Sequence, residues 1–175
     1  MNNFRNSFIL LLTLFIAFHA VAITPQNTRV ASQADTTDDG RLSILSWNIY
    51  MLPKFVVRPG KRDRAHAIVE QLKSSNFDVI VFQEAFLPAA RKIIQKGLSD
   101  IFPYHYGPAN NSPSILTNSG VWVISRKPMK VIDEIRFEKC KGYDCYARKG
   151  AILLEGDNNG KPYQVLGTHL QADNE

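Results

Sequence analysis

The sequence predicts a mixed α/β layered domain that begins near Leu42. Three observations carry that prediction. Leu42 to Trp47 alternates with period two, the pattern of a strand with one buried face. Ala65, Ile68, Val69 and Leu72 recur at helical spacing. Phe77 to Phe82 is a compact apolar run, the pattern of a fully buried strand. A second helix follows, and then mostly strands, an order that argues against an all-parallel sheet.

The elements follow in order. After the first strand, Met51 to Gly60 contains Pro53, Pro59 and Gly60 and reads as a loop. Lys61 to Ser74 is the first helix, with a charged outer face. The buried strand ends at Gln83-Glu84. Pro88 suits the first turn of the second helix, whose expected buried face is Ala89, Ala90, Ile93, Ile94 and Leu98. Ser99 to Ser119, rich in Pro, Asn and Ser, reads as a long connection, either a functional loop or locally disordered. Strands are expected at Gly120 to Ser125, Ala147 to Glu155 and Tyr163 to Thr168, with another at Val131 to Phe137. Gly156-Asp157-Asn158-Asn159 separates two of them and has the chemistry of a hairpin turn. The two helices would cover one face of a sheet, and its other face needs a second layer.

Three segments divide the chain. Residues 1–22 carry Arg5, an apolar run from Phe8 to Phe18 and the small-residue pattern Ala20-Val21-Ala22, the marks of a secretory signal peptide. The run is shorter than the ~20 apolar residues of a membrane span. Residues 23–40 are polar and aperiodic and read as a flexible leader. Residues 41–175 form the domain. Export would deliver it to the periplasm or outside the cell. Cleavage removes Arg5 and no acid, so the formal charge falls from +5 to +4. That balance suits a phosphate-bearing substrate or an anionic surface and equally suits plain solubility, so it identifies no function. The two cysteines, Cys140 and Cys145, flank a turn-like segment. An oxidising compartment favours a disulfide between them. Without a nearby histidine they supply half a zinc site at best.

The chemistry-bearing candidates sit where apolar strands give way to loops. Asn48 ends the first strand, Glu84 the second and His169 the last. One carboxylate with an amide oxygen beside it is a sensible partial shell for a hard cation such as magnesium, which keeps several waters. His169 has the donors to hydrogen-bond a phosphate oxygen as charge builds on it. Each has an ordinary alternative: a solvated turn glutamate, a capping asparagine, a histidine satisfied by a backbone carbonyl. His66 reads as a surface residue and His105 as a loop residue without a role.

Order and context make the strings more specific. Ser46-Trp47-Asn48-Ile49-Tyr50-Met51-Leu52-Pro53, Val81-Phe82-Gln83-Glu84-Ala85-Phe86, Asn118-Ser119-Gly120-Val121-Trp122-Val123-Ile124-Ser125, Arg148-Lys149-Gly150-Ala151 and Gly167-Thr168-His169-Leu170-Gln171-Ala172 together resemble the endonuclease/exonuclease/phosphatase superfamily. Within it they resemble the bacterial sphingomyelinase C branch. The resemblance implies the N-terminal half of a four-layer α/β/β/α sandwich of the deoxyribonuclease-like type. It implies a magnesium-dependent phosphodiesterase that splits sphingomyelin into ceramide and phosphocholine at a membrane surface.

By the same resemblance Glu84 is the magnesium ligand and Asn48 supports that shell. His169 contacts the scissile phosphate. Phe86 and Asn118 fall beside the substrate pocket, Phe86 with plain packing as an equal alternative. Lys149 is either a positive charge near the site or, the reading adopted, a surface lysine at a strand edge. Leu87-Pro88 stands where several relatives carry polar residues, so no accessory metal is expected there. The family's water-activating histidine, in a Ser-Asp-His string, and its Gly-Asp-x-Asn string follow the histidine string in relatives. Here Gly156-Asp157-Asn158-Asn159 precedes it and is read as a turn. Two other outcomes remain open: a secreted nuclease or other phosphatase acting on nucleic acid with the same scaffold, and a non-catalytic truncated remnant. The Tyr50-Met51-Leu52-Pro53 continuation argues for the lipid branch over the nuclease.

Overall fold

A computed structural model describes residues 40–53, 56, 59–111 and 118–171. The expected signal peptide and all but the last residue of the expected leader lie outside the described residues. The elements run β1 (Ile44–Met51), α1 (Lys61–Leu72), β2 (Val79–Ala85), α2 (Pro88–Leu98), β3 (Tyr104–Tyr106), β4 (Trp122–Ser125), β5 (Met129–Arg136), a short 3₁₀ turn (Gly142–Tyr146), β6 (Gly150–Asn158) and β7 (Lys161–Thr168).

Two sheets result. The first has the order β1-β2-β4-β3, with β1 parallel to β2 and the remaining pairs antiparallel. The second is the antiparallel meander β5-β6-β7. Period-two alternation sorts the side chains into two cores. Ile80 and Phe82 of β2, with Trp122 and Ile124 of β4, pack under the helices with Ala65, Ile68, Leu72, Ile94 and Leu98. Val79 and Val81 of β2, with Val121 and Val123, pack against Ile152, Leu154 and Val165 of the second sheet. The layers are therefore helix, sheet, sheet, and the second sheet covers the face the helices leave open. Leu153 and Leu166 pair across β6 and β7 on the outer face of that sheet, where Leu166 is 61% exposed.

Several expectations are corrected. Ala89 is exposed, because the buried stripe of α2 runs through Ala90, Ile94 and Leu98, four residues apart. The long connection after α2 is not all loop. Tyr104–Tyr106 forms edge strand β3 against β4, and residues 112–117 lie outside the described residues. Lys149 is buried rather than a surface residue, and its Nζ donates to Leu170 O at 2.8 Å. The expected turn stands: Asn159 and Gly160 have φ of 55° and 81°, and Asp157 Oδ1 accepts from Gly160 N at the β6–β7 hairpin.

His105 lies on β3 and stacks on Trp122, with ring centroids 5.8 Å apart. Burial holds its pKa below the ordinary 6.5. The folded protein therefore resists a proton that the unfolded chain takes up near pH 6.5, and stability must fall as pH drops below that value. Thermal melts should show a lower Tm at pH 5 than at pH 7. His105→Gln should flatten that slope, and an unchanged slope in the variant would discount the histidine.

Candidate active site

β1 and β2 run side by side and end at the same edge, with Asn48 opposite Gln83. There the register slips: Met51 pairs with Ala85, so two residues of β1 oppose the single residue Glu84. That is a β-bulge, a device that re-aims side chains beside sites. Its effect is visible in the cores. Strict alternation from Ile80 and Phe82 would put Glu84 under the helices, yet Ala85 occupies that core instead. Glu84 and Tyr50 take left-handed backbone, with φ of 53° and 52°. Such a conformation costs about 1–3 kcal/mol per non-glycine residue and persists only where its surroundings hold it.

The slip turns the Glu84 carboxylate toward Asn48 and His169. Asn48 Nδ2 donates to Glu84 Oε1 at 3.1 Å, while its Oδ1 accepts from Tyr50 N at 3.0 Å. Only one amide orientation satisfies both bonds. His169 Nε2 stands 3.9 Å from the same Oε1, beyond hydrogen-bond distance. Glu84 Oε2 is buried and accepts no hydrogen bond from any described residue. An orphaned buried acceptor costs on the order of 1–3 kcal/mol, and an anionic oxygen in that state is what a hard cation would engage. Among the described residues no cluster of three or more His, Cys, Asp or Glu side chains surrounds it. The donor set present, one carboxylate steadied by an amide, fits a cation that keeps most of its waters.

His169 reaches this position because β7 crosses close to β2. A Cβ on Gly167 would lie 3.0 Å from Val81 Cγ1 and 3.2 Å from Val121 Cγ1, so the glycine sets the spacing of the sheets at that point. His169 N then donates to Gly150 O at 3.3 Å. A loop closed by the Cys140–Cys145 disulfide abuts the same segment, with Lys141 N donating to Gln171 Oε1 at 3.0 Å. In the structure Cys140 and Cys145 are joined to each other, which leaves neither as a free thiol.

The structure brings Asn48, Glu84 and His169 together. It places the other two candidates differently. Phe86 is buried, with its ring against Gly120, which is the packing alternative. Asn118 is buried and its Oδ1 accepts from Gly120 N at 2.9 Å, shaping the bend before β4. Three cations that sequence reasoning passed over surround the two loops. Lys61 Nζ donates to the carbonyls of Leu52, Pro53 and Val56. Arg64 Nη1 donates to Tyr50 O, and its guanidinium lies over the Tyr50 ring. Arg91 Nη1 donates to the carbonyls of Ala85 and Phe86. A basic residue in the first turn of the helix after each site loop was the available signal. A cleft of about 400 Å³ lies between β1 and the end of α1 and one of about 530 Å³ beside α2 and β3, and neither includes the carboxylate.

Residues 45–172 match the model of the Endonuclease/Exonuclease/phosphatase family. This chain belongs to that family. Family relatives include sphingomyelinase C of Leptospira interrogans, 31% identical over 164 residues, covering 85% of this chain and 29% of the relative. Phospholipase C of Staphylococcus aureus is 29% identical over 166 residues, covering 87% of this chain and 49% of the relative. Among solved structures, SmcL superposes with a TM-score of 0.69 at 28% identity, over 77% of this chain and 50% of that one. A β-toxin of Staphylococcus aureus with bound magnesium ions gives 0.66 at 26%, over 75% and 50%. The chain thus spans about half the length, or less, of the relatives it matches. The mixed α/β expectation and the resemblance to bacterial sphingomyelinase C both stand.

Proposed function

We propose that this chain carries the metal-binding and phosphate-contacting side of a divalent-cation-dependent phosphodiesterase of the sphingomyelinase C type. The carrying observation is the Glu84 carboxylate, re-aimed by the bulge, with Oε1 held by Asn48 and Oε2 buried without a donor. Glu84 would hold magnesium through Oε2. Asn48 would fix the carboxylate plane, and His169 would donate to a phosphate oxygen of the bound diester. Held there by Glu84, a divalent cation would supply Lewis-acid polarisation of a phosphoryl oxygen and positive charge to offset that on a departing alkoxide. The relatives named sphingomyelinase C and phospholipase C support a choline phospholipid substrate, sphingomyelin first, and the magnesium in the β-toxin structure supports the cation. Residues 1–22 would direct export. Among the described residues no helix is long and apolar enough to cross a membrane.

The 175 residues contain no Ser-Asp-His string, and the Gly-Asp-x-Asn match is the β6–β7 hairpin. A positioned general base contributes about 10²–10⁴-fold, so turnover by this chain alone should be depressed by that order. The test is a matched assay on sphingomyelin vesicles and on DNA, each with magnesium and with a chelator. Slow, magnesium-dependent release of phosphocholine is the expected result. Cleavage of DNA without lipid cleavage would overturn the substrate assignment.

A further inference from the structure

We infer that Arg91 is a positioning residue for the Glu84 carboxylate, acting through the two peptide groups that follow it. The inference rests on the proposed metal role of Glu84. Arg91 sits in the first turn of α2, where the helix dipole disfavours a cation. Burial also lowers its pKa, a further sign that the guanidinium is held against its own preference for water. No described carboxylate pairs with it. One guanidinium nitrogen, Nη1, instead takes both the Ala85 and Phe86 carbonyls. Those carbonyls are consecutive, and they belong to the residues directly after left-handed Glu84.

The N–H groups of the same turn are held elsewhere. Ala85 N donates to Gly120 O, and Phe86 N and Leu87 N both donate to Met51 O. Backbone donors therefore tie the turn to β1 and to the bend before β4, and Arg91 satisfies the carbonyl side. With both sides held, Glu84 has no route to relax from its left-handed conformation, and its carboxylate stays turned toward Asn48. The β1 loop is held on the same plan: left-handed Tyr50 offers its carbonyl to Arg64.

A matched comparison separates positioning from general support. Arg126 is a second cation that clamps two carbonyls next to β2, but at its opposite end. Its Nε donates to Phe77 O at 2.7 Å and its Nη2 to Ser75 O at 2.6 Å. Mn²⁺ affinity, read by electron paramagnetic resonance, is measured for the full chain and for Arg91→Met, Arg91→Lys, Arg126→Met and Glu84→Gln, with thermal melts alongside. Arg91→Met should weaken Mn²⁺ binding by about tenfold or more, the scale that outer-shell partners of metal ligands carry. Arg126→Met should lower the melting temperature and leave Mn²⁺ affinity within about twofold of the parent, because it touches no outer-shell partner. Arg91→Lys, which keeps one donor head, should fall between and carries the test if Arg91→Met does not fold. Equal Mn²⁺ affinity in the parent and the Arg91 variants, or equal losses in the Arg91 and Arg126 variants, overturns the inference. Equal binding by the parent and Glu84→Gln overturns the metal reading itself and the positioning role with it.

Discussion

Glu84→Gln should abolish metal binding while leaving the fold intact. Glutamine has the shape of glutamate, and its Oε1 should still accept from Asn48 Nδ2, a bond of 3.1 Å to Glu84 in this protein. What is lost is the negative charge and the anionic Oε2 that no described donor satisfies. A neutral amide oxygen is a poor substitute for a carboxylate toward a hard dication. Losing the ligand should cost more than losing an outer partner, so a drop of at least about 100-fold in Mn²⁺ affinity is expected. Thermal stability should hold within a few degrees, since loss of the buried negative charge offsets the weaker bond to Asn48 and the unpaired amide that replaces Oε2. Any magnesium-dependent hydrolysis should vanish with the metal. A Mn²⁺ titration with a thermal melt on the same sample checks both halves. Unchanged affinity would remove Glu84 from the site.

Gly150→Ala should be the most damaging small substitution outside the site. A Cβ at that position would lie 1.8 Å from Ile135 O and 2.5 Å from Asn110 Nδ2. Neither neighbour can step aside cheaply. Ile135 belongs to the paired strand β5, and Asn110 Nδ2 donates to Ile135 O and Arg148 O. The β5–β6 ladder must therefore open at its end. Overpacking of this kind costs about 3 kcal/mol or more where backbone has to move, or roughly 6–12 °C in Tm for a domain of this size. The damage should reach the site, because Gly150 O accepts from both His169 N and Thr168 Oγ1. Gly160→Ala is the comparison. Its backbone is also special, with φ of 81°, but no atom lies within 4 Å of the added carbon. It should cost only the left-handed conformation, about 1–2 kcal/mol. Differential scanning calorimetry of the two variants decides the point, and equal losses would refute the steric account.

Much of this arrangement is legible in local sequence because local physics produces it. The period-two run before Trp47 packs one face of its strand, and the apolar run ending at Phe82 packs both. Ala65, Ile68, Val69 and Leu72 share one helical face at any tertiary setting. Asn159-Gly160 and the short span between Cys140 and Cys145 also close on themselves. Other features come from pairs far apart in the chain. Strand β3 exists because β4 offers it an edge, and its three residues carry no period worth reading. Lys149 looks like an exposed strand-end lysine until the segment after β7 folds over it and supplies the Leu170 carbonyl. Phe86 passes equally well for a pocket aromatic until Gly120 is seen beneath its ring.

The site divides in the same way. Local pattern identified Asn48, Glu84 and His169 as polar residues at strand ends, and their order marked the family. Whether they meet depended on long-range events. The slip between β1 and β2 turned Glu84 away from the helical core, and Gly167 let β7 come near enough to set His169 beside it. Arg91, lying seven residues past Glu84 on the next helix, reads as one more surface arginine until α2 folds back over the loop. A residue's own sequence carries its propensity and its chemistry. The direction in which its side chain points is set by which strand it pairs with, in which register, and by what holds the turn beyond it.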